Sequence, residues 1–258
     1  MKAVILCGGM GTRLREETEV KPKPMVEIGR MPILWHIMKT YAHYGFNEFV
    51  LCLGYKGEVI KQYFYNYEFL SNDFTIELGT REVQTYPRHA EHGWKITLVD
   101  TGLHTMTGGR VGRVKDFIDG DTFMLTYGDG LTDLNIKELL NFHKAHGRIG
   151  TISGVFPPSR YGELLIQDDT VRSFMEKPAS NGNSINGGYF VFNKRIFDYL
   201  SIDEGCILER EPLEKLASDG QLKVFHHKGF WQCMDTYRDC KYLNDLWDSK
   251  KAPWKIWE

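Results

Sequence analysis

Met1-Lys2-Ala3-Val4-Ile5-Leu6-Cys7-Gly8-Gly9-Met10-Gly11-Thr12-Arg13-Leu14 opens the chain, and its reading decides the fold. Ala3 to Leu6 is a short apolar run with two β-branched residues, the mark of a buried strand. Gly8, Gly9 and Gly11 follow at once. A strand that breaks into glycines lets the backbone approach a phosphate closely, because no Cβ stands in the way and φ is free to be positive. Successive N–H groups there can form an anion nest. Arg13 offers a flat fork for one phosphate, and Lys23, in Lys21-Pro22-Lys23-Pro24, a compact ammonium for another. Two familiar glycine motifs fail. A Walker loop needs Gly five residues after Gly8, where Arg13 stands. The dinucleotide fingerprint needs a small residue where Leu14 stands. The bland alternative, a purely structural turn, is weakened by the cations that follow the glycines.

Composition bounds the rest. The chain has 258 residues, enough for one sizeable core, so one α/β domain is the default. Apolar residues make up 42% and charged residues 26%, ordinary for a soluble globular protein. A net charge of −2 supplies no bulk attraction for nucleic acid or acidic membranes, so any anion site is local. No apolar stretch approaches the ~20 residues of a membrane span, and a strand rather than a signal peptide begins the chain. The five cysteines, Cys7, Cys52, Cys206, Cys233 and Cys240, show no C-x-x-C spacing. They read as reduced thiols of a cytoplasmic protein, with Cys7 a small core residue.

Along the chain, apolar spacing predicts a helix over 32–45, a strand at 49–53, a helix to about Asn66 and a strand at 95–99. Residues 72–93 lack a sustained period and suggest a short strand with a long excursion. Met106-Thr107-Gly108-Gly109-Arg110 opens a helix expected to reach Phe117. Its start is either an anion or base-edge site or an ordinary capped end. A strand at 122–127 delivers Gly128-Asp129-Gly130, and a helix over 134–147 carries His143 and His146, read as surface residues. Strands follow at 151–156, 164–166, 171–174 and 185–192, then two helical pieces in 195–220 and a helix from Tyr237 to Trp247. His226 and His227, adjacent on a strand, fall on opposite faces and cannot chelate together. Strand–turn–helix alternation of this kind builds a Rossmann-like α/β domain, with a mixed, mainly parallel sheet flanked by helices. A first half of about 1–130 precedes a second half and C-terminal tail of about 131–258.

The recurring chemistry suits polyphosphate. A carboxylate between glycines at the carboxyl end of a strand, as at Asp129, is placed to hold a hard cation; an Asx turn is the alternative. Asp235, just before the last helix, is a second such carboxylate or else an N-cap. Two distant carboxylates can hold one Mg²⁺ against a nucleotide's α-phosphate, and Mg²⁺ fits because only oxygen ligands are on offer. Hydrolysis through a serine elbow is excluded, since no Gly-x-Ser-x-Gly occurs.

Met1 to Leu6, Gly8-Gly9-x-Gly11-Thr12-Arg13-Leu14 and Lys21 to Met25 resemble the opening of the sugar-nucleotide pyrophosphorylases. Val26-Glu27-Ile28-Gly29, Pro32 to Lys39 and the terminal Ala252-Pro253-Trp254-Lys255-x-Trp257-Glu258 are similar to the glucose-1-phosphate cytidylyltransferases among them. The resemblance spans essentially the whole chain. It implies a Mg²⁺-dependent transfer joining CTP to glucose 1-phosphate, with CDP-glucose and pyrophosphate as products. It implies backbone contacts to nucleotide at Leu6, Gly8, Gly9 and Gly11, phosphate contacts at Thr12, Arg13 and Lys23, and pocket positions at Thr105 and Arg110, the Arg at base or ribose. Asp129 and Asp235 match the metal carboxylates; Arg13, Lys23 and Asp129 are the catalytic candidates. Glu176, Lys177, Asn186 and Gly187 match the sugar-phosphate side. The resemblance further implies a homo-oligomer, a hexamer among such assemblies, and a place in dideoxysugar and O-antigen synthesis. Cys7 departs from the Ala expected there, and residues 69–92 do not align. A sister enzyme using UTP or dTTP, and a silent sugar-nucleotide-binding module, are the rival readings.

Overall fold

The computed structural model describes residues 1–157, 163–175 and 184–257. The first strand, β1 (Lys2–Leu6), lies mid-sheet between β2 (Glu48–Leu53) and β6 (Thr122–Tyr127), parallel to both. This central position explains its unbroken apolar run. Ala3 and Ile5 enter the core on one face, Val4 and Leu6 the core on the other, so alternation buries every residue. Beyond β2 lies β5 (Lys95–Asp100), parallel again. On the other side, β11 (Ile185–Asn193) pairs antiparallel with β6 and with β8 (Gly150–Val155), and β12 (Leu222–His227) closes the sheet parallel to β8. The seven-stranded order is therefore β12-β8-β11-β6-β1-β2-β5, with four parallel and two antiparallel pairings. This is the mixed, mainly parallel sheet the sequence predicts.

Helices cover both faces. One face receives α1 (Ile33–His43), α2 (Gly57–Tyr65), α4 (Ile136–His146) and α6 (Tyr237–Asp248); the other receives α3 (Thr107–Arg113) and α5 (Glu211–Ser218). The Asn135 side chain caps α4 by accepting from the Glu138 N–H, and Gly147 ends it at φ 62°. Short pairs complete the frame: the hairpin β3 (Asp73–Ile76) and β4 (Val83–Tyr86), β7 (Gly130–Thr132) with β13 (Trp231–Cys233), and β9 (Glu163–Gln167) with β10 (Thr170–Met175).

The two helical pieces expected in 195–220 are there, a 3-10 helix over Lys194–Tyr199 and an α-helix over Glu211–Ser218. Three expectations need correction. Residues 72–93 form a hairpin rather than one strand with an excursion. The helix from Thr107 ends at Arg113 and gives way to a 3-10 turn over Lys115–Phe117. His143 is not a surface residue: it is 4% exposed and shares a hydrogen bond of 2.8 Å with Thr151 Oγ1, with His146 at 2.7 Å on the same hydroxyl. It continues the buried stripe Ile136, Leu139, Leu140, His143 at the i, i+3, i+4, i+7 spacing of a core-facing helix. Burial, with His146 beside it, pulls its pKa down to about 4.

The C-terminal tail packs on the body. Trp254 is fully buried, stacked on Phe230, and its indole N–H donates to His36 Nδ1 at 3.3 Å. The other ring nitrogen, Nε2, then carries the proton and donates to the Ile28 carbonyl at 3.0 Å. Burial lowers the His36 pKa to about 4, so this histidine holds the tail as a neutral ring.

Candidate active site

The carboxyl ends of β1 and β6 open onto a cleft of about 510 Å³, where functional groups of open α/β sheets collect. The strand β1 contributes Leu6 and the turn Cys7 to Gly11. The next turn contributes Thr12 and Arg13; Lys23 stands on the 3-10 turn Lys23–Met25. Thr105, Thr107 and Arg110 come from the start of α3, Asp129 from the β6–β7 turn, Asn186 from β11, and Cys233 and Asp235 from the stretch before α6. Twelve predicted site residues, ten between Leu6 and Asp129 together with Asn186 and Asp235, thus line one cavity. Gly187 lies just behind: it is buried, and its carbonyl accepts from the Trp231 indole at 2.7 Å. Glu176 and Lys177 lie outside the described residues.

The glycine turn is shaped by close approach. A Cβ on Gly8 would lie 2.1 Å from the Arg110 guanidinium, and Gly11 sits at φ +61° against Thr18 and Lys23. Cys7 is fully buried beneath the turn, where burial raises its pKa, so it stays a neutral core thiol. Arg110 lines the cleft, but its guanidinium is spent on protein oxygens. It donates to the carbonyls of Leu53 (2.9 Å), Gly102 (2.7 Å), Gly8 (3.0 Å) and Leu103 (3.2 Å), and to Thr101 Oγ1 (2.8 Å). It fastens the glycine turn to the ends of β2 and β5. Thr105, 3% exposed, accepts from Arg113 at 2.8 Å.

The charged centre is a cation between two carboxylates. Lys23 Nζ lies 2.5 Å from Asp129 Oδ2 and 2.6 Å from Asp235 Oδ1, and Arg13 reaches Asp235 Oδ2 at 2.8 Å. Burial alone would lower the Lys23 pKa; the Asp129 charge and both carboxylate hydrogen bonds carry it above its ordinary value instead. Burial likewise opposes ionisation of Asp235, and Lys23, followed by Arg13, overcomes it and holds that carboxyl below its usual range. The capping alternative for Asp235 is settled by its neighbour. Thr236 is the N-cap of α6, in a reciprocal capping box with Asp239, which leaves the Asp235 carboxylate for Lys23 and Arg13.

A divalent cation suits this seat. Among the described residues, Asp129, Asp235 and Cys233 each offer a ligand atom within 4.8 Å of the others, and the two carboxylates already hold an ammonium between them. The donor set is not oxygen alone, as sequence spacing suggested, because Cys233 brings a sulfur. Its thiol is pushed up by burial and by the Asp129 charge, which keeps it protonated and makes the two carboxylates the ligands a hard cation would use.

Sequence reasoning missed a third layer. Tyr127, the last residue of β6, donates to Glu209 Oε1 at 2.5 Å and accepts from Asn186 Nδ2 at 3.1 Å. Thr107 donates to Glu209 Oε2 at 2.6 Å. Burial and the Glu209 charge raise the Tyr127 pKa, so the phenol keeps its proton. Tyr127 ended a predicted strand beside Asp129, which was a usable signal; nothing local marked Glu209.

Residues 2–248 match the Nucleotidyl transferase family. This chain is a nucleotidyl transferase. It is 53% identical to the glucose-1-phosphate cytidylyltransferases of Salmonella typhi and Salmonella typhimurium, over 259 aligned residues covering all of each chain. Among solved structures, UDP-glucose pyrophosphorylase complexed with UDP-glucose superposes with a TM-score of 0.70, covering 96% of this chain and 98% of that one. At 15% identity that likeness shows the fold alone. The fold expected from the sequence, a single Rossmann-like nucleotidyltransferase domain, is the one found. Within this nucleotidyl transferase no described helix is long and apolar enough to cross a membrane.

Proposed function

We propose that this transferase joins CTP to glucose 1-phosphate, releasing pyrophosphate and yielding CDP-glucose. The observation that carries the reading is full-length identity of 53% to glucose-1-phosphate cytidylyltransferases, in a chain whose cleft collects a glycine turn, two cations and two carboxylates. Transfer at phosphorus needs positioning and charge neutralisation more than a covalent participant. A sugar-phosphate oxygen attacks the α-phosphorus in line and pyrophosphate leaves. Backbone N–H groups of Leu6 to Gly11 and the Thr12 hydroxyl hold the triphosphate. Lys23 and Arg13 take up charge on the leaving pyrophosphate and the α-phosphate oxygens. Asp129 and Asp235 would hold Mg²⁺, which when bound neutralises phosphate charge and orients both reactants. Lys23 Nζ, which sits between the two carboxylates, is the ammonium the cleft offers to the phosphates. Thr105 and Arg110 support the nucleotide side, Arg110 by pinning Gly8; Glu176, Lys177, Asn186 and Gly187 support the sugar phosphate. Residues 1–130 and 131–258 divide these two tasks.

Three further parts belong to the proposal. The chain is a homo-oligomer, a hexamer by the same likeness. The support is the hairpin β3–β4, whose eight strand residues are all exposed, Phe74, Ile76, Val83 and Tyr86 among them. An isolated two-stranded ribbon is marginal in water, and this one exposes apolar side chains a second copy would cover. A cytoplasmic location is supported by five free cysteines. The product enters dideoxysugar and O-antigen synthesis, by likeness to the cytidylyltransferases. The test of the activity is mass-spectrometric identification of CDP-glucose after incubation with CTP, glucose 1-phosphate and Mg²⁺. No such product from folded protein would overturn the proposal.

A further inference from the structure

Glu209 is not among the residues that line the cleft, yet it holds two that are. Its carboxylate accepts from Tyr127 OH at 2.5 Å and from Thr107 Oγ1 at 2.6 Å, and both donors line the cleft. An ionised carboxylate only accepts, so each hydroxyl must spend its proton on Glu209. The consequences propagate in one direction. Thr107 Oγ1 is left to accept from the Leu208 N–H at 3.0 Å. The Tyr127 oxygen is left to accept, and takes the Asn186 Nδ2–H at 3.1 Å. At its other end Asn186 Oδ1 accepts from the Gly188 N–H at 2.8 Å. The Asn186 amide is therefore pinned at both ends, with its second N–H the donor that remains to it. Gly188 sits at φ +77°, where a Cβ would strike the Tyr127 ring at 2.4 Å, so the backbone is moulded to this arrangement.

We propose that Glu209 is a positioning residue that sets the hydrogen-bond polarity of the chain Tyr127–Asn186, so that Asn186 meets the sugar phosphate as a donor. The inference rests on the proposed reading that Asn186 lies on the sugar-phosphate side. A donor is what phosphate and hydroxyl oxygens of that substrate require. Without an acceptor at 209 the phenol proton turns toward Asn186, two donors face each other, and the amide loses its fixed orientation.

Steady-state kinetics on four variants test this. In Glu209→Leu, KM for glucose 1-phosphate rises about tenfold, the cost of roughly one hydrogen bond. KM for CTP and kcat stay within about twofold, and the melting temperature of the unliganded protein within a few degrees. Glu209→Gln rescues, since its amide oxygen still accepts from Tyr127 while its NH₂ faces Thr107. Tyr127→Phe removes the link from the other side and reproduces the selective KM effect, even if Glu209→Leu folds poorly. The double variant Tyr127→Phe/Glu209→Leu is no worse than the weaker single. Equal losses for both substrates, additive effects in the double variant, or an unchanged KM in Glu209→Leu and Tyr127→Phe would overturn the proposal. A wild-type protein without turnover would instead overturn the functional reading itself.

Discussion

Replacing Arg110 by Ala separates two roles that a cleft-lining arginine can have. The side chain is 4% exposed and donates five hydrogen bonds to protein oxygens, four of them backbone carbonyls. Some acceptors keep other partners. Leu53 O also accepts from Thr101, and Gly8 O from the Tyr55 N–H at 3.2 Å. Gly102 and Leu103 sit nearer the surface, where water can replace a lost donor. The net cost is therefore that of two or so charged hydrogen bonds, at about 1.5 kcal/mol each, or about 3 kcal/mol in all. For a chain of this size each 1 kcal/mol lowers Tm by roughly 2–4 °C, so unliganded Arg110→Ala should melt about 6–12 °C lower. Arg110→Lys should recover little, because one ammonium cannot span carbonyls on three segments. The assay is a thermal melt of wild type and variants without ligand, repeated with CTP. If unliganded Arg110→Ala melts within about 1 °C of wild type while CTP no longer stabilises it, Arg110 is a ligand contact and the anchoring argument fails.

Asp129→Asn and Asp235→Asn should each lower turnover at least about 100-fold, as loss of a charged ligand at a transfer site does, while far-ultraviolet circular dichroism stays native. A variant with near-normal turnover in Mg²⁺ would remove that carboxylate from the metal. Stability should fall in acid. His36 and His143 have folded pKa values of about 4 against an ordinary 6.5, so as pH drops the unfolded chain takes up these protons first. Their contribution is complete above pH 6.5 and is lost as pH falls toward 4, about 2 kcal/mol each by pH 5. Urea unfolding at pH 7.5 and 5.0 measures this, and His143→Asn should reduce the difference; an unchanged difference would remove His143 as its source. Ile76→Asp/Val83→Asp on the exposed hairpin should shift the mass seen by light scattering toward monomer. An assembly of unchanged mass would place its contacts elsewhere.

Sequence alone carried the fold wherever burial was two-sided. Ala3 to Leu6, Phe49 to Leu53 and Thr122 to Tyr127 are central strands, and each stood out as a mainly apolar run. It pointed to the cleft lining wherever unusual residues sat at strand ends, as with Gly8, Gly9, Gly11, Thr12, Arg13 and Asp129. It failed where meaning depends on partners distant in sequence. Arg110 lines the cleft as expected, but the carbonyls of Gly8, Leu53 and Gly102 that converge on its guanidinium were not legible in its local sequence. Glu209 lies 82 positions from Tyr127 and 102 from Thr107, and no local pattern joins them. Cys233 read as an ordinary thiol because its closeness to Asp129 arises only when β13 pairs with β7. His143 was legible in principle: the same heptad stripe that placed Leu139 and Leu140 inward placed it there too.

The central claim is tested most directly by pyrophosphate release from purified protein with glucose 1-phosphate and Mg²⁺, comparing CTP, UTP, dTTP, ATP and GTP. The account predicts release with CTP at least about tenfold faster than with any other triphosphate. Preference for UTP or dTTP would contradict the assignment to cytidylyl transfer while keeping the chemistry of the cleft. No release with any of the five, from protein that binds CTP, would contradict the account and leave a silent binding module.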